Sequence, residues 1–372
     1  MEAIRAERIL TMNPERPEIV DGGILIRDGR IQAVEPWKKL TGMGVCHELG
    51  AVTIVPGLIN AHVHLELSHL AGQIPAGLGF AAWAESLFAA MRATRVSDAV
   101  VERAVGEALA SGTCFMADVN GREFDMVCRA LERLGMRGHL FREFSGLGRG
   151  QDLSPESLPG SWSPSVHALY STAPAFAQAI KRWCARHALP FTLHLSEVPG
   201  ENELFQRGSG DFADFMRLRR ILPKGFAASG LTAVAYAQEL GLLDGHTLAV
   251  HCVQVDERDI RILAQSGAFV CLCPRSNAWI GVGVAPVAAL HAAGVPLCLG
   301  TDSFASTPSL DLWDDLRAVK ALLPSATPLS ALLDLVTRNP AKALSIDADH
   351  GSLEVGKRAS WTILPEDLAA AV

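Results

Sequence analysis

The length, composition and charge of the chain predict a globular protein that acts on a small molecule. It has 372 residues, of which 49% are hydrophobic. That is enough for a barrel of about 250 residues and a second, smaller unit. Its 33 Lys and Arg residues stand against 40 Asp and Glu residues, which gives a net charge of −7 without long basic blocks. This argues against nucleic acid or a membrane as a partner and leaves a homodimer open.

Two further features of the sequence predict a cytoplasmic protein. The start lacks an apolar segment behind basic residues, and no run of about 18 apolar residues follows later. The eight cysteines are scattered through apolar segments and form no disulfide framework, which is typical of a reducing compartment.

Both ends of the chain predict a small β unit. Within the first 55 residues, short strand-like runs are separated by Asn13-Pro14, Asp21-Gly22 and Asp28-Gly29, which are turn signals. Near the other end, residues 351–357 and 361–364 look like a hairpin that returns to this unit. We therefore predict a β-sandwich domain built from residues 1–55 and 340–372.

The intervening residues 56–339 predict a (β/α)8 TIM-like barrel. Apolar strands alternate there with helical patterns. The strand candidates are 58–62, 113–119, 137–144, 166–170, 191–195, 247–252, 268–273 and 296–301. Eight such strands, each nearly continuously apolar, favour a closed parallel barrel over an open sheet.

Five polar residues end these strands, where a barrel of this type builds its active site. They are His62, His64, His194, His251 and Asp302. His62 and His64 lie two positions apart in a strand, so both side chains point to the same side and can bind one ion. A single histidine at a strand end is more often structural. Imidazoles with a carboxylate suit a borderline divalent cation, so the set predicts a hydrolytic metal site.

The stretches around these residues resemble the amidohydrolase superfamily, in its branch of cytosine, guanine and adenosine-type deaminases and chlorohydrolases. They are 55–64 (VPGLINAHVH), 194–197 (HLSE), His251, 299–303 (LGTDS) and 351–357 (GSLEVGK). The resemblance implies that His62, His64, His194 and Asp302 hold a divalent metal ion, Zn²⁺ or Fe²⁺. It also implies that His251 hydrogen-bonds the attacking water. The fourth strand ends at Tyr170 without a lysine that could carry a bridging carbamate, which resembles the mononuclear members of the superfamily, so we expect one ion.

Glu197, three residues after His194, points to deamination. Just past the strand end, it can face the substrate without binding the ion, and can therefore protonate a ring nitrogen and the leaving ammonia. A bound metal lowers the pKa of water towards neutrality, and Asp302 can accept the proton of that water. The alternative to a catalytic role is that Glu197 is a solvated glutamate at the start of a loop.

Residues for the substrate are suggested by two further resemblances. Residues 167–172 (HALYST) resemble the end of the fourth strand in adenosine-type deaminases, where the histidine contacts substrate, although Leu169 stands in place of a proline. Residues 64–68 (HLELS) and 74–83 (IPAGLGFAAW) resemble the subgroup that deaminates aminodeoxyfutalosine on the futalosine route to menaquinone.

For such a nucleoside we expect six residues to bind substrate. They are His167, Trp83 as an apolar wall, Glu66 for the ribose hydroxyls, Arg142 and Arg207 for a benzoate carboxylate, and Asn277 as pocket lining. Core packing explains such a tryptophan, and surface or structural roles explain such arginines, more often than substrate binding does.

Several other functions fit the same scaffold. They are deamination of methylthioadenosine or S-adenosylhomocysteine, deamination of guanine or cytosine, and hydrolysis of a chlorinated ring. A non-catalytic barrel is an alternative of another class, against which the retention of all four ligands with Glu197 and His251 argues.

Overall fold

The first part of the chain forms a mixed β-sheet together with a strand near the C-terminus. The computed structural model describes residues 1–147 and 162–369. The strands of this sheet, numbered in chain order, are β1 (Glu2–Leu10), β2 (Glu18–Arg27), β3 (Arg30–Pro36), β4 (Val45–Glu48), β5 (Thr53–Pro56) and β14 (Trp361–Ile363). β1 pairs antiparallel with β2 and parallel with β4 and β5, while β14 pairs antiparallel with β5. Both termini thus build one small domain.

Two local predictions for this domain were wrong. Asp21-Gly22 is not a turn between strands but lies inside β2. The glycine is needed there because a Cβ would lie 2.7 Å from Cδ1 of Ile9. Residues 351–357 are not the hairpin partner of β14, since Leu353 donates instead to the carbonyl of Thr11. The domain boundaries stay a prediction, and residues 370–372 lie outside the described part.

A parallel barrel follows, with its strands in chain order around the sheet. They are β6 (Leu58–Val63), β7 (Thr113–Asn120), β8 (Arg137–Phe144), β9 (Trp162–Ala168), β10 (Phe191–Leu195), β11 (Thr247–His251), β12 (Phe269–Leu272) and β13 (Leu297–Leu299). The ring closes where Val63 forms an isolated parallel bridge to Asp302, whose N–H donates to the carbonyl of His62 at 3.1 Å. The predicted (β/α)8 barrel is confirmed.

The fourth barrel strand, β9, begins and ends earlier than predicted. Ser163, Pro164 and Ser165 interrupt the apolar pattern of the sequence, yet all three are buried in the strand. The hydroxyl of Ser163 donates to the carbonyl of Pro190 at 2.9 Å, which satisfies this buried group. Tyr170 consequently lies in the turn after the strand.

Helices cover the outside of the barrel. Numbered in chain order, they are α1 (Phe80–Ala93), α2 (Asp98–Ala110), α3 (Phe124–Leu134), α4 (Pro174–Arg186), α5 (Glu201–Arg207), α6 (Asp211–Leu218), α7 (Ala233–Glu239), α8 (Glu257–Ser266), α9 (Pro274–Ile280), α10 (Val287–Ala292), α11 (Leu312–Lys320), α12 (Leu329–Asp334), α13 (Arg338–Ala343) and α14 (Glu366–Ala369). No helix within the described ranges combines the length and apolar character needed to cross a bilayer.

Helix α1 differs from helices that pack fully onto the barrel. Only Ala84 of this helix is fully buried, although its sequence is largely apolar. Its apolar side chains lie half-exposed over the open, carboxyl end of the barrel, where they line a cavity.

Candidate metal centre and active site

Three histidines and one aspartate meet at the carboxyl ends of β6, β10 and β13. Nε2 of His64 lies 3.4 Å from Nε2 of His194. Oδ1 of Asp302 lies 3.7 Å from Nε2 of His62 and 3.6 Å from Nε2 of His64. The ligand atoms of the three histidines all lie within 4.8 Å of one another. The donors that the sequence placed at separate strand ends therefore converge on one point.

The chemistry of these residues fits a divalent metal ion. Both ring nitrogens of His62 are buried without a hydrogen-bond partner. Such groups are rare in folded proteins, because burial removes their hydrogen bonds to water and no other bond replaces them. Burial, together with nearby His62, lowers the pKa of His64 to about 3 and that of His194 well below its usual range. The rings of His64 and His194 are therefore neutral at physiological pH, and neutral imidazole is the form that binds a cation.

Neighbouring groups orient the candidate ligands. Nδ1–H of His194 donates to the carbonyl of His167 at 2.9 Å, so Nε2 carries the lone pair. Oδ2 of Asp302 accepts hydrogen bonds from the hydroxyls of Ser276 and Ser306, the latter at 3.0 Å. These bonds leave Nε2 of His194 and Oδ1 of Asp302 available to bind an ion. Hydrogen bonds to the other polar atoms of metal ligands commonly orient them in this way.

The backbone at these strand ends adopts conformations that non-glycine residues rarely take. Ser196, His251 and Asp302 have φ angles of 50°, 75° and 59°. Left-handed residues of this kind cost on the order of 1–3 kcal/mol each and are concentrated at functional sites. Gly300 lets the chain after β13 pass close to His62. A Cβ at this position would lie 2.7 Å from both Cβ and the carbonyl oxygen of His62.

His251 and Glu197 form a second pair beside the four candidate ligands. Nδ1–H of His251 donates to Oδ1 of Asn277 at 3.0 Å, and Nε2 lies 3.7 Å from Oε1 of Glu197. Burial raises the pKa of Glu197 to about 7. A carboxyl group with such a pKa can both give and take a proton near neutrality, as an acid–base catalyst must.

A cavity of about 340 Å³ opens from these residues. Polar side chains line its inner end, including His64, His194, Glu197, His251 and Asp302. Its outer walls are apolar and come from α1 and from the segment around α6. These wall residues are Phe80, Trp83, Leu87, Phe88, Met91, Phe215, Met216 and Ile221. The cavity thus combines a reactive inner end with an apolar outer part, as substrate pockets do.

Two of the six expected substrate residues line this cavity. They are His167 and Trp83. Nδ1 of His167 bonds to the hydroxyl of Ser171 at 2.7 Å, and burial lowers the pKa of this histidine to about 4. The indole N–H of Trp83 donates to the carbonyl of Ala305 at 3.0 Å, which fixes the ring in the wall.

The other four expected substrate residues do not line the cavity. The carboxylate of Glu66 accepts the backbone N–H groups of Gly121 and Arg122 at 3.2 Å and 3.0 Å. The guanidinium of Arg142 lies 5.3 Å from the ring centroid of Phe144. Arg207 is exposed in the last turn of α5, and Asn277 lies behind His251. None of these placements supports the direct substrate contact that the sequence suggested.

Sequence reasoning missed three residues that bear on the site. Glu143 and Arg122 line the cavity. Glu201 is buried, and its carboxylate accepts the N–H groups of residues 196–198 at 3.0 to 3.3 Å, which shapes the loop that carries Glu197. The period of two along β8 could have indicated Glu143, because it shares the inward face with His139 and Phe141.

The sequence matches one protein family and a set of deaminases. The profile of the amidohydrolase family matches residues 53–371. The 5-methylthioadenosine/S-adenosylhomocysteine deaminase of Syntrophobacter fumaroxidans is 30% identical over 383 residues, covering 96% of this chain and 82% of that protein. The protein of the same name from Nitratidesulfovibrio vulgaris is 30% identical over 380 residues, covering 95% and 81%.

Solved structures share the fold at lower sequence identity. An adenosine deaminase from Xanthomonas campestris with bound zinc has a TM-score of 0.80 and 23% identity, covering 98% of this chain and 84% of that one. Helicobacter pylori aminofutalosine deaminase in complex with methylthio-coformycin has a TM-score of 0.84 and 22% identity, covering 98% and 92%. Atrazine chlorohydrolase from Arthrobacter aurescens with zinc has a TM-score of 0.81 and 21% identity, covering 99% and 88%.

Proposed function

Since the chain belongs to the amidohydrolase family, we propose that it is a metal-dependent deaminase of an adenine nucleoside, with aminodeoxyfutalosine as the first candidate. The resemblance to the deaminase and chlorohydrolase branch is confirmed, and the chain is a hydrolytic enzyme of the adenosine-type deaminase group. The observation that carries the proposal is the buried carboxyl of Glu197 beside four convergent metal-ligand side chains.

His62, His64, His194 and Asp302 would hold one divalent ion, for which Zn²⁺ is the first candidate and Fe²⁺ the second. The zinc in related structures favours this order. When bound, such an ion supplies Lewis acidity, which lowers the pKa of water towards neutrality.

The remaining residues of the site would handle protons and position the reacting groups. The ring of His251, with its Nδ1–H donated to Oδ1 of Asn277, would present Nε2 to the attacking water. Asp302 would take the proton of that water. Glu197 would deliver its proton to the ring nitrogen next to the amino-bearing carbon. It would then pass the proton of the new hydroxyl group to the leaving amine, and the proton taken up by Asp302 would restore the acid form of Glu197. A carbon–oxygen bond forms, the exocyclic carbon–nitrogen bond breaks, and ammonia leaves.

The outer part of the cavity supports an aromatic carboxylate as the far end of the substrate. Phe80, Trp83 and Phe215 offer apolar surface for a ring. Arg122 lines the same cavity, and its guanidinium makes no hydrogen bond or ion pair with a described residue. A free guanidinium beside apolar walls suits the benzoate of aminodeoxyfutalosine, because arginine pairs well with carboxylates. We therefore propose Arg122, in place of Arg142 or Arg207, as the residue that binds this carboxylate.

Methylthioadenosine and S-adenosylhomocysteine are the second candidate substrates. The relatives at 30% identity carry these names, and the methylthio group is small and apolar enough for the same outer walls. A role in menaquinone synthesis depends on the first candidate alone.

An ammonia-release assay with the zinc-loaded protein tests the proposed function. We expect the highest kcat/KM with aminodeoxyfutalosine, and a lower value with methylthioadenosine, S-adenosylhomocysteine and adenosine. Guanine, cytosine and atrazine serve as substrates of the competing functions. Ammonia from guanine or cytosine only, or chloride release from atrazine only, would contradict deamination of an adenine nucleoside.

Arg122→Ala, compared with Arg142→Ala, tests the carboxylate contact. We expect Arg122→Ala to raise the KM for aminodeoxyfutalosine about tenfold, the size of one charge-assisted hydrogen bond, and to leave methylthioadenosine unaffected. Arg142→Ala should change neither KM, because its side chain lies outside the cavity. An unchanged KM for aminodeoxyfutalosine in Arg122→Ala would remove Arg122 from this role.

A further inference from the structure

We infer that Glu143, together with the ring nitrogen of His167, binds the sugar of the nucleoside by accepting hydrogen bonds from its vicinal 2′ and 3′ hydroxyl groups. The inference rests on the proposed function and adds a residue that positions the substrate. Glu143 lies near the carboxyl end of β8, between the candidate metal ligands and the outer apolar walls.

Glu143 has one carboxyl oxygen without a hydrogen-bond partner. Its Oε1 is buried and makes no hydrogen bond. The nearest charged partner atom is Nδ1 of His194, at 3.6 Å. That nitrogen already donates its proton to the carbonyl of His167 at 2.9 Å, so it cannot also satisfy Glu143. An acceptor left open in a substrate cavity indicates that the substrate supplies the donor.

A second acceptor lies next to this carboxyl group. The hydroxyl of Ser171 donates to the carbonyl of Ala168, so it must accept the proton on Nδ1 of His167. Nε2 of the neutral His167 ring then has a lone pair and no proton. A carboxylate oxygen of Glu143 and a ring nitrogen of His167 lie within 4.8 Å of each other.

Two neighbouring acceptors select a ligand group with two neighbouring donors. A vicinal diol presents two O–H donors about one hydrogen-bond length apart, which this pair can accept together. The carboxylate at the far end of the substrate has no hydrogen-bond donor to offer these two acceptors and is expected at Arg122. The reacting edge of the purine is expected at Glu197, His251 and Asp302. The sugar hydroxyls remain as the matching part of a nucleoside.

The carboxylate that the sequence suggested for the ribose is already bonded within the protein. Glu66 uses its two oxygens for the N–H groups of Gly121 and Arg122 and does not line the cavity. Asp118, another buried acid nearby, uses Oδ1 for the N–H of Leu65 at 2.7 Å. Its Oδ2 has no partner either, but Asp118 does not line the cavity and so cannot meet a ligand there. Among these three acids, Glu143 therefore has the carboxyl group available for a ligand.

Turnover of deoxynucleosides by Glu143→Gln tests this inference. The probes are adenosine, 2′-deoxyadenosine, 3′-deoxyadenosine and 2′,3′-dideoxyadenosine, and the metal content of each variant is measured first. In the wild type, loss of a hydroxyl should lower kcat/KM about tenfold, because a hydrogen bond to the carboxylate is lost. In Glu143→Gln, adenosine should lose a similar factor, one of the two monodeoxy analogues should be turned over about as well as adenosine, and the metal content should be unchanged.

Glu66→Gln is the matched control, because it alters an acid that bonds only to backbone in the described structure. It should keep the wild-type ratio between adenosine and its deoxy analogues. Equal turnover of adenosine and its deoxy analogues by the wild type would overturn the inference, and so would undiminished discrimination in Glu143→Gln. If Glu143→Gln lost its metal, the role of Glu143 would instead be to position the metal-ligand candidate His194. Absence of turnover of every adenine nucleoside by the wild type would contradict the proposed function itself.

Discussion

Single residues in this site are distinguished by whether their polar atoms are already bonded within the protein. Glu66 and Glu143 are both acids near the carboxyl end of the barrel, yet Glu66 holds backbone N–H groups while Oε1 of Glu143 has no partner. The sequence could predict His62 and Asp302 as ligand candidates, because strand ends place them at the barrel mouth. It could not predict the difference between the two glutamates, because that depends on contacts between distant segments.

Glu197→Gln should separate proton transfer from metal binding. The amide keeps the shape of the side chain but cannot transfer a proton, so we expect kcat to fall by about 10²- to 10⁴-fold with full metal content. His62→Ala should lose both metal and activity. Metal analysis and steady-state kinetics measure the two effects. Glu203→Gln, in the exposed face of α5, is the control and should retain activity. A fully active Glu197→Gln would remove this residue from the mechanism.

Among the secondary-structure elements, β6 and β13 carry both the closure of the barrel and part of the metal centre. Asn60 in β6 bonds to the hydroxyl and the N–H of Thr301 at 2.7 Å and 3.2 Å, and the N–H of Asp302 donates to His62. The sequence predicted most barrel strands to within one or two residues, because buried parallel strands are continuously apolar. It failed for β9, where the buried hydroxyl of Ser163 is satisfied by a tertiary hydrogen bond that no local pattern reveals.

Gly300→Ala should disturb stability and the metal centre together. The added Cβ would meet the backbone of His62 at 2.7 to 2.9 Å, and a backbone neighbour cannot simply rotate away. We expect the free energy of unfolding to fall by about 1–3 kcal/mol, as for an overpacked core, and the affinity for zinc to decrease. Denaturant titration and metal competition measure these effects. Gly106→Ala in α2, where a Cβ meets nothing within 4 Å, should be neutral or slightly stabilising. An unchanged zinc affinity in Gly300→Ala would show that the packing where the barrel closes does not affect metal binding.

At the scale of the whole molecule, residues 349–359 form a junction that contacts both the terminal sheet and the barrel. Nη1 of Arg30, in β3, lies 2.7 Å from Oδ1 of Asp349, and the N–H of Ala359 donates to the carbonyl of Gly29. His350 is buried at this junction, with its ring centroid 5.4 Å from that of Phe115. The sequence predicted the return of the C-terminal segment from the apolar run near Trp361. It could not predict the contacts of residues 351–357, because these are single hydrogen bonds without a strand pattern.

His350 should make stability depend on pH below neutrality. Burial lowers its pKa to about 4, whereas a histidine in an unfolded chain titrates near 6.5. The unfolded state therefore binds the proton first, so stability falls as the pH decreases from about 6.5 towards 4. His350→Leu lacks this contribution. Between pH 7.5 and 5.5, the free energy of unfolding of the wild type should fall further than that of the variant, by about 1 kcal/mol or less. If chemical denaturation gave the same pH dependence of the free energy of unfolding for the wild type and His350→Leu, His350 would not be the group responsible.

The wall of α1 has an evolutionary consequence. This helix contributes Trp83, Leu87 and Met91 to the cavity, while the candidate metal ligands stand on or beside barrel strands. Substitutions on α1 can therefore change which molecules enter without altering the groups that perform hydrolysis. New substrate ranges can arise by drift in one half-exposed helix while the ancestral reaction is kept. The same separation makes α1 the segment to randomise when a deaminase with a different specificity is to be selected.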